Sequence, residues 1–306
     1  MTVGEAPSTG ERAALTTLLS NATLSRIERM RLVPNRRLTT RRHGEHLARK
    51  SGTSIEFHDY RDYSPGDDVR FVDWNVFARL QRPFLKLYHQ EEVMHVVIVV
   101  DCSQSMMFEG KFERARELAA AFGVMGLFGG ERVSVYAFHR AGAAPEELSP
   151  CSGRISMAKL FAMVEGLRGG GEAPIESALA GLARCHSGRG IAVVLSDFLT
   201  FGDLALPFNR LFSAGLELFA VQLLAPSEIA PDLSDDARLV DSESAETLDV
   251  TVEGGLMAIY QEHRLAYQEE LAALCRRRSG RFVSVSSAEP VETLLFDLLR
   301  RKGWVR

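Results

Sequence analysis

The chain has 306 residues, enough for one large domain or two modest ones with a real core. It is 46% hydrophobic and 25% charged, as soluble globular proteins are, and its formal net charge of -4 gives no global reason to expect nucleic acid. No apolar stretch reaches the roughly 18 residues that span a bilayer, and Met1 to Gly10 has no apolar run like a signal peptide's, so a cytoplasmic location is the expectation.

In chain order, Ala13–Leu32 reads as a helix, with Leu15, Leu18, Leu19, Ile27 and Leu32 available for one stripe and Pro34 ending it. This N-terminal part is basic: residues 1–50 carry ten Lys/Arg against four Asp/Glu, densest from Arg26 through Arg29, Arg31, Arg36 and Arg37 to Arg41 and Arg42. Such a stretch can meet phosphates or an acidic partner. It equally suits the solvated face of a helix, because no aromatics interleave with the arginines as stacking platforms. Residues 226–256 reverse the balance, with nine acids and only Arg238 basic, and offer an internal docking surface for it.

Residues 44–92 carry glycines, aromatics and short apolar runs, the pattern of strands joined by turns. Ser64-Pro65-Gly66-Asp67 is a turn signal, since Pro presets φ and Gly tolerates positive φ. From Val93 onward strands and helices alternate. Strands are expected at His95–Val100, Arg132–Phe138, Ile191–Leu195, Leu216–Leu224 and Arg281–Val285. Helices are expected at Lys111–Phe128, Ile155–Leu167, Ile175–Leu182, Leu256–Arg277 and Val291–Leu299. This alternation predicts an α/β fold, a doubly wound, mostly parallel sheet with helices on both faces. The expected division is 1–43 (helical, basic), 44–92 (β-rich) and 93–306 (the sheet domain), with a hairpin insertion near 237–252 at the sheet's periphery.

Chemistry concentrates where the apolar run Val96–Val100 ends in Asp101-Cys102-Ser103-Gln104-Ser105. A strand apolar on both faces is buried, and open α/β sheets bind ligands at the carboxyl ends of their strands. Hydroxyl and carboxylate oxygens suit a hard cation such as Mg²⁺; the plain alternative is a loop whose short polar side chains cap the next helix. A second buried run, Ile191–Leu195, ends in Ser196-Asp197. If the two strands are neighbours, Asp101 and Asp197 meet at one rim, and their mutual repulsion calls for a cation or a basic group. The four cysteines, Cys102, Cys151, Cys185 and Cys275, form no Cys-x-x-Cys and read as small buried residues.

The Asp-x-Ser-x-Ser strand end resembles the metal-ion-dependent adhesion site of von Willebrand factor A domains. The resemblance implies direct ligation by Ser103 and Ser105, with Asp101 and Asp197 near the ion. The family's threonine after a Gly-Gly pair is missing: the segment reads Gly169-Gly170-Gly171-Glu172. Either Glu172 substitutes a carboxylate, or the site is degenerate and holds metal weakly or not at all. Ahead of the sheet stands Arg61-Asp62-Tyr63-Ser64-Pro65-Gly66-Asp67-Asp68-Val69-Arg70-Phe71-Val72-Asp73-Trp74. This closely resembles the signature of the family called domain of unknown function 58, and with Leu239-Val240-Asp241-Ser242 the likeness spans most of residues 44–300. Many of that family carry N-terminal membrane helices; this sequence resembles the soluble, shorter type. Arg61 and Arg70 suit bidentate pairing with Asp67, Asp68 or Asp73, as a clasp between the β-rich segment and the sheet domain or as part of a partner-binding surface that includes Trp74. His43, His46 and His58 have no accompanying zinc signature and read as surface histidines.

No phosphate loop, dinucleotide fingerprint, nucleophile elbow or His-Glu-x-x-His is present, so a non-enzyme is expected. The resemblance implies an interaction module partnered with a MoxR-type AAA+ ATPase in chaperone-like complex assembly, docking a partner carboxylate on an ion at Asp101, Ser103, Ser105 and Asp197, beside the helix that starts near Lys111. The alternatives are a Mg²⁺-dependent hydrolase using Asp101 and Asp197, and a nucleic-acid binder using residues 26–50.

Overall fold

The computed structural model of the chain describes residues 15–35, 39–40, 55–91, 93–231, 237–240, 247–250 and 256–306. Helix α1 (Asn21–Ile27) begins where the Ser20 hydroxyl accepts from the Thr23 N–H at 3.1 Å. It is shorter than the stretch expected over Ala13–Leu32, because Ser20 caps it late and Glu28 ends it. Its Leu24 and Ile27 belong to the core of the main sheet, and Leu32 bridges Val305. The described part of the expected segment 1–43 is thus built into the main domain. Arg26 of α1 and Arg29 in the turn after it are exposed, with the Arg26 guanidinium over the Phe296 ring at 3.5 Å. Arg36, Arg37, Arg41, Arg42, His43 and His46 lie outside the described residues, as do Asp241 and Ser242.

Strands β1 (Thr39–Thr40), β2 (Ile55–Asp62) and β3 (Phe84–Glu91) form an antiparallel sheet in the order β1-β3-β2. Between β2 and β3 lies a helix the sequence pattern did not show, α2 (Trp74–Leu80). Two turns are too short for a helical period to register; its start is marked instead by Asp73, whose carboxylate accepts from the N–H groups of Asn75 and Val76.

The main sheet uses β4 (His95–Asp101), β5 (Arg132–Phe138), β6 (Glu146–Cys151), β7 (Gly190–Ser196) and β8 (Leu216–Leu224). After these, β9 (Ala237–Val240) and β10 (Thr247–Val250) pair as a separate two-stranded sheet rather than adding to the main one, and β11 (Arg281–Ser286) returns to it. The order is β11-β8-β7-β4-β5-β6, parallel throughout except for β6. The unexpected β6 is a half-exposed edge strand carrying Pro150, which is tolerated where no ladder donor is needed. Crossing helices are α3 (Lys111–Gly129), α4 (Met157–Gly166), α5 (Ile175–Cys185), α6 (Ala205–Ser213), α7 (Pro226–Ile229), α8 (Leu256–Arg276) and α9 (Val291–Thr293), the last continued by wider turns over Leu294–Leu299.

Alternate residues of each strand feed opposite faces. Val96, Ile98 and Val100 of β4 pack with residues of α1, α3 and α4. Val97 and Val99 pack with residues of α5, α6 and α8. The sheet is therefore covered on both sides, consistent with a von Willebrand factor A-like fold. The order of winding reverses between β4 and β7: from β4 the chain steps to β5 on one side, while β7 and β8 lie on the other. Crevices form at such a switch point, and this one separates the ends of β4 and β7.

Helix α3 lies close on the sheet because it carries glycine at the contact. A Cβ on Gly126 would stand 2.6 Å from Val133 Cγ2 and 3.2 Å from Val96 Cβ. At the opposite, amino end of the sheet, His186 is buried: its Nε2 lies 3.3 Å from His95 Nδ1 and its Nδ1 3.2 Å from the Tyr136 hydroxyl. Burial, and then the neighbouring His95 charge, lower His186 to about 4. The unfolded chain thus takes up this proton near pH 6.5 and the folded one only near 4, so His186 costs stability progressively as pH falls through that window.

Two outcomes follow. Gly126→Val should lower the free energy of unfolding by about 1–3 kcal/mol in urea titrations, through overpacking under α3. Between pH 6.5 and 4 the urea midpoint of His186→Gln should fall less steeply than that of the unmodified chain.

Candidate functional site

Strands β4 and β7 run side by side with Val100 opposite Leu195. Asp101 and Ser196 come next, then Asp197, so the two acids do arrive at one rim of the sheet. Both are buried. Asp101 Oδ1 accepts from the Ser103 N–H at 2.9 Å and Oδ2 from the Ser196 hydroxyl at 2.5 Å. Burial and then the charge of Asp197 push the Asp101 carboxyl up to about 6, against the hydrogen bonds from Ser196 and Ser103 that favour the carboxylate. Ser103 Oγ and Ser105 Oγ lie 3.1 Å apart. Cys102 is buried beside them, its thiol pushed up to about 12 mainly by burial, which makes it a poor nucleophile.

The glycine loop lies against the Asp101 loop. Gly171 bridges Ser103, and its N–H donates to the Cys102 carbonyl at 2.6 Å. A Cβ here would stand 2.8 Å from the His139 carbonyl oxygen, so the close approach needs glycine. Glu172, however, is exposed, with its own N–H bound to that same carbonyl at 2.7 Å. Among the described residues no three His, Cys, Asp or Glu side chains gather as metal ligands. The expectation that Glu172 completes an ion site with Asp101 and Asp197 is corrected accordingly.

Sequence reasoning also missed the cation already at this rim. Lys111, the first residue of α3, is 0% exposed. Its Nζ donates to Asp197 Oδ2 at 2.8 Å and to Glu228 Oε1 at 2.6 Å. Asp197 Oδ1 accepts from the Leu199 N–H at 3.1 Å, and Glu228 Oε2 from the Ala225 N–H at 2.7 Å. One ammonium thus ties the start of α3 to the ends of β7 and β8. A hard divalent ion wants several oxygens aimed at one point. Here Asp197 is held by an ammonium, Asp101 is hydrogen-bonded on both oxygens, and the third loop sends its carboxylate to solvent. The residues do not fit the Mg²⁺ that the resemblance implies. The signal in the sequence was a lysine in the first turn of a helix, where the helix dipole disfavours a cation.

Around this buried cluster the rim exposes apolar side chains. Met107 and Phe108 stand on the loop after β4, Leu199 and Phe201 on the loop after β7, and Leu206 on α6; Phe201 is fully exposed. Both loops are pinned. Phe198 is buried with φ 56°, its N–H bound to Ser196 Oγ at 2.9 Å and its carbonyl accepting from the Tyr267 hydroxyl. Thr200 Oγ1 donates to Glu176 at 2.7 Å. Glu109 has φ 40°, and its carbonyl accepts from Ser287 Oγ at 2.7 Å. Left-handed backbone at such residues costs of order 1–3 kcal/mol and persists only where surroundings enforce it.

The signature segment forms ion pairs of its own. Arg61 pairs with Asp67 at 2.6 Å and the exposed Arg70 with Asp68 at 2.5 Å. Asp73 caps α2, accepts from the Tyr60 hydroxyl at 3.0 Å and pairs with Lys86 at 3.0 Å; this set lowers it to about 2, Lys86 contributing most. These bonds close the β2–α2–β3 unit upon itself, whereas the expected clasp joined that unit to the sheet domain. Trp74 is exposed, edge-on to Phe77 at 5.9 Å.

Against known proteins, the family described as protein of unknown function DUF58 matches residues 59–272. Uncharacterized proteins of Mycobacterium tuberculosis and Mycobacterium bovis are 28% identical over 271 residues, covering 85% of this chain and 84% of theirs. Among solved structures, a conserved hypothetical protein BatB from Bacteroides thetaiotaomicron is 15% identical, with TM-score 0.43 over 69% of this chain and 97% of that one. An aerotolerance-related membrane protein from Bacteroides fragilis is 17% identical, with TM-score 0.38 over 63% and 91%. Among the described residues, no helix is long and apolar enough to cross a membrane.

Ser196→Ala should remove both the donor to Asp101 and the acceptor for Phe198, costing about 1–3 kcal/mol in chemical denaturation. Ser105→Ala, at a half-buried position, should stay within about 0.5 kcal/mol of the unmodified chain.

Proposed function

We propose that this chain, which belongs to the family described as protein of unknown function DUF58, is a non-catalytic protein-interaction module that docks its partner on the carboxyl rim of the main sheet. The observation that carries this is the set of apolar side chains, Met107, Phe108, Leu199 and Phe201, held in water on two pinned loops. Apolar anchors on preorganised loops lose little conformational entropy on binding, and aromatic anchors dominate interface energetics. The partner we propose is a MoxR-type AAA+ ATPase, in a chaperone-like assembly role; its support is the family resemblance of the Arg61–Trp74 signature. Docking of a partner carboxylate through a divalent ion is not part of this reading, because the Lys111 ammonium of the cluster is enclosed and already paired with Asp197 and Glu228.

The test is affinity for a MoxR-type ATPase from the same organism, measured by biolayer interferometry with the full chain. Phe201→Ser and Phe108→Ser should each weaken binding by about tenfold or more, with unfolding midpoints close to that of the unmodified chain. Equal affinity in both variants, or no complex with the ATPase, would overturn the reading.

A further inference from the structure

The Lys111 ammonium lies where the charge balance of the rim calls for a cation. Asp101 and Asp197 end adjacent parallel strands, and Glu228 of α7, just after β8, shares the Lys111 ammonium with Asp197. Two buried acids, Asp101 and Asp197, with the half-buried Glu228 nearby, repel one another unless positive charge lies among them. The ammonium contacts two of them at 2.8 and 2.6 Å, with no exposed surface of its own. Asp101, the acid it does not bridge, is held by the Ser196 hydroxyl and the Ser103 N–H. Ser103 and Ser105 meet each other at 3.1 Å.

We infer that Lys111 is a covalently supplied substitute for the divalent ion, so that the rim of this chain is assembled permanently and works without metal. An ion site can be emptied, and its loops then lose their centre. An ammonium on the first residue of α3 cannot leave, and it fixes α3, the Asp197 loop and α7 together whatever the metal supply. The missing threonine and the solvent-facing Glu172 then have a common reason: with the charge supplied from α3, no third loop ligand is required. This inference concerns the same rim as the docking proposal, but its test needs no partner, so the two can fail separately.

The test is a pair of metal titrations on the full chain, read by thermal unfolding and by isothermal calorimetry. The unmodified protein, stripped with EDTA, should show no heat of binding and no shift of Tm with millimolar Mg²⁺ or Mn²⁺. Lys111→Ser removes the ammonium and leaves Asp197 and Glu228 facing a vacated space with a hydroxyl beside it. This variant should melt lower than the unmodified chain and should regain about 4 °C or more on saturation with Mn²⁺. The triple variant Lys111→Ser, Asp197→Asn, Glu228→Gln should lose that metal response. Metal binding by the unmodified chain that Ser103→Ala abolishes would overturn the inference. So would a Lys111→Ser variant that Mn²⁺ does not stabilise, including one that stays unfolded with the metal present, because a cation in the ammonium's place is held to suffice.

Discussion

One buried ammonium, on Lys111, holds the working end of this molecule together. Its position runs against two ordinary preferences: lysines keep their charge in water, and cations avoid the first turn of a helix. It persists because two carboxylates meet it at hydrogen-bond distance and are themselves anchored by backbone N–H groups, Asp197 by Leu199 and Glu228 by Ala225. Removing one member of such a buried set leaves charges without compensation, typically at a cost of 3–5 kcal/mol. The rim therefore depends on the pair in a way that the exposed Arg70–Asp68 pair in the signature segment does not share.

The two strand-end acids show how position decides chemistry. Asp197 is paired with the Lys111 ammonium. Asp101, one strand over, is met by neutral donors of Ser196 and Ser103, and burial together with its neighbour's charge raises it to about 6. From this pair outward the order is continuous. Ser196 links Asp101 to the N–H of the strained Phe198, and the Phe198 loop is braced by Tyr267 and Glu176. Phe201 is held in solvent at the end of that chain of contacts. A buried polar network thus serves to present an apolar surface.

Much of the fold was legible in the sequence because buried parallel strands announce themselves. The boundaries of β5 and β8 match the expected ones, and β4 and β7 each extend it by one or two polar or glycine residues. The convergence of Asp101 and Asp197 followed from the same runs. What was hidden had weak or nonlocal signals. Helix α2 is too short to show a period, β6 is a polar edge strand, and α1 is curtailed by a cap that competes with the helical pattern of its flanks. Lys111, Ser196 and Glu228 were missed for a different reason. Their partners lie 86, 95 and 117 residues away along the chain, so apart from the misplaced charge of Lys111 in the first turn of α3 nothing local marked them.

The place of the rim's positive charge decides between a lysine-built rim and a metal-built one. A crystal grown in Mn²⁺ and measured at the manganese absorption edge would show it. The Lys111 ammonium should lie between Asp197 and Glu228, with no anomalous peak near Ser103 and Ser105. A manganese peak coordinated by those two serines, with the lysine displaced from Asp197, would contradict it.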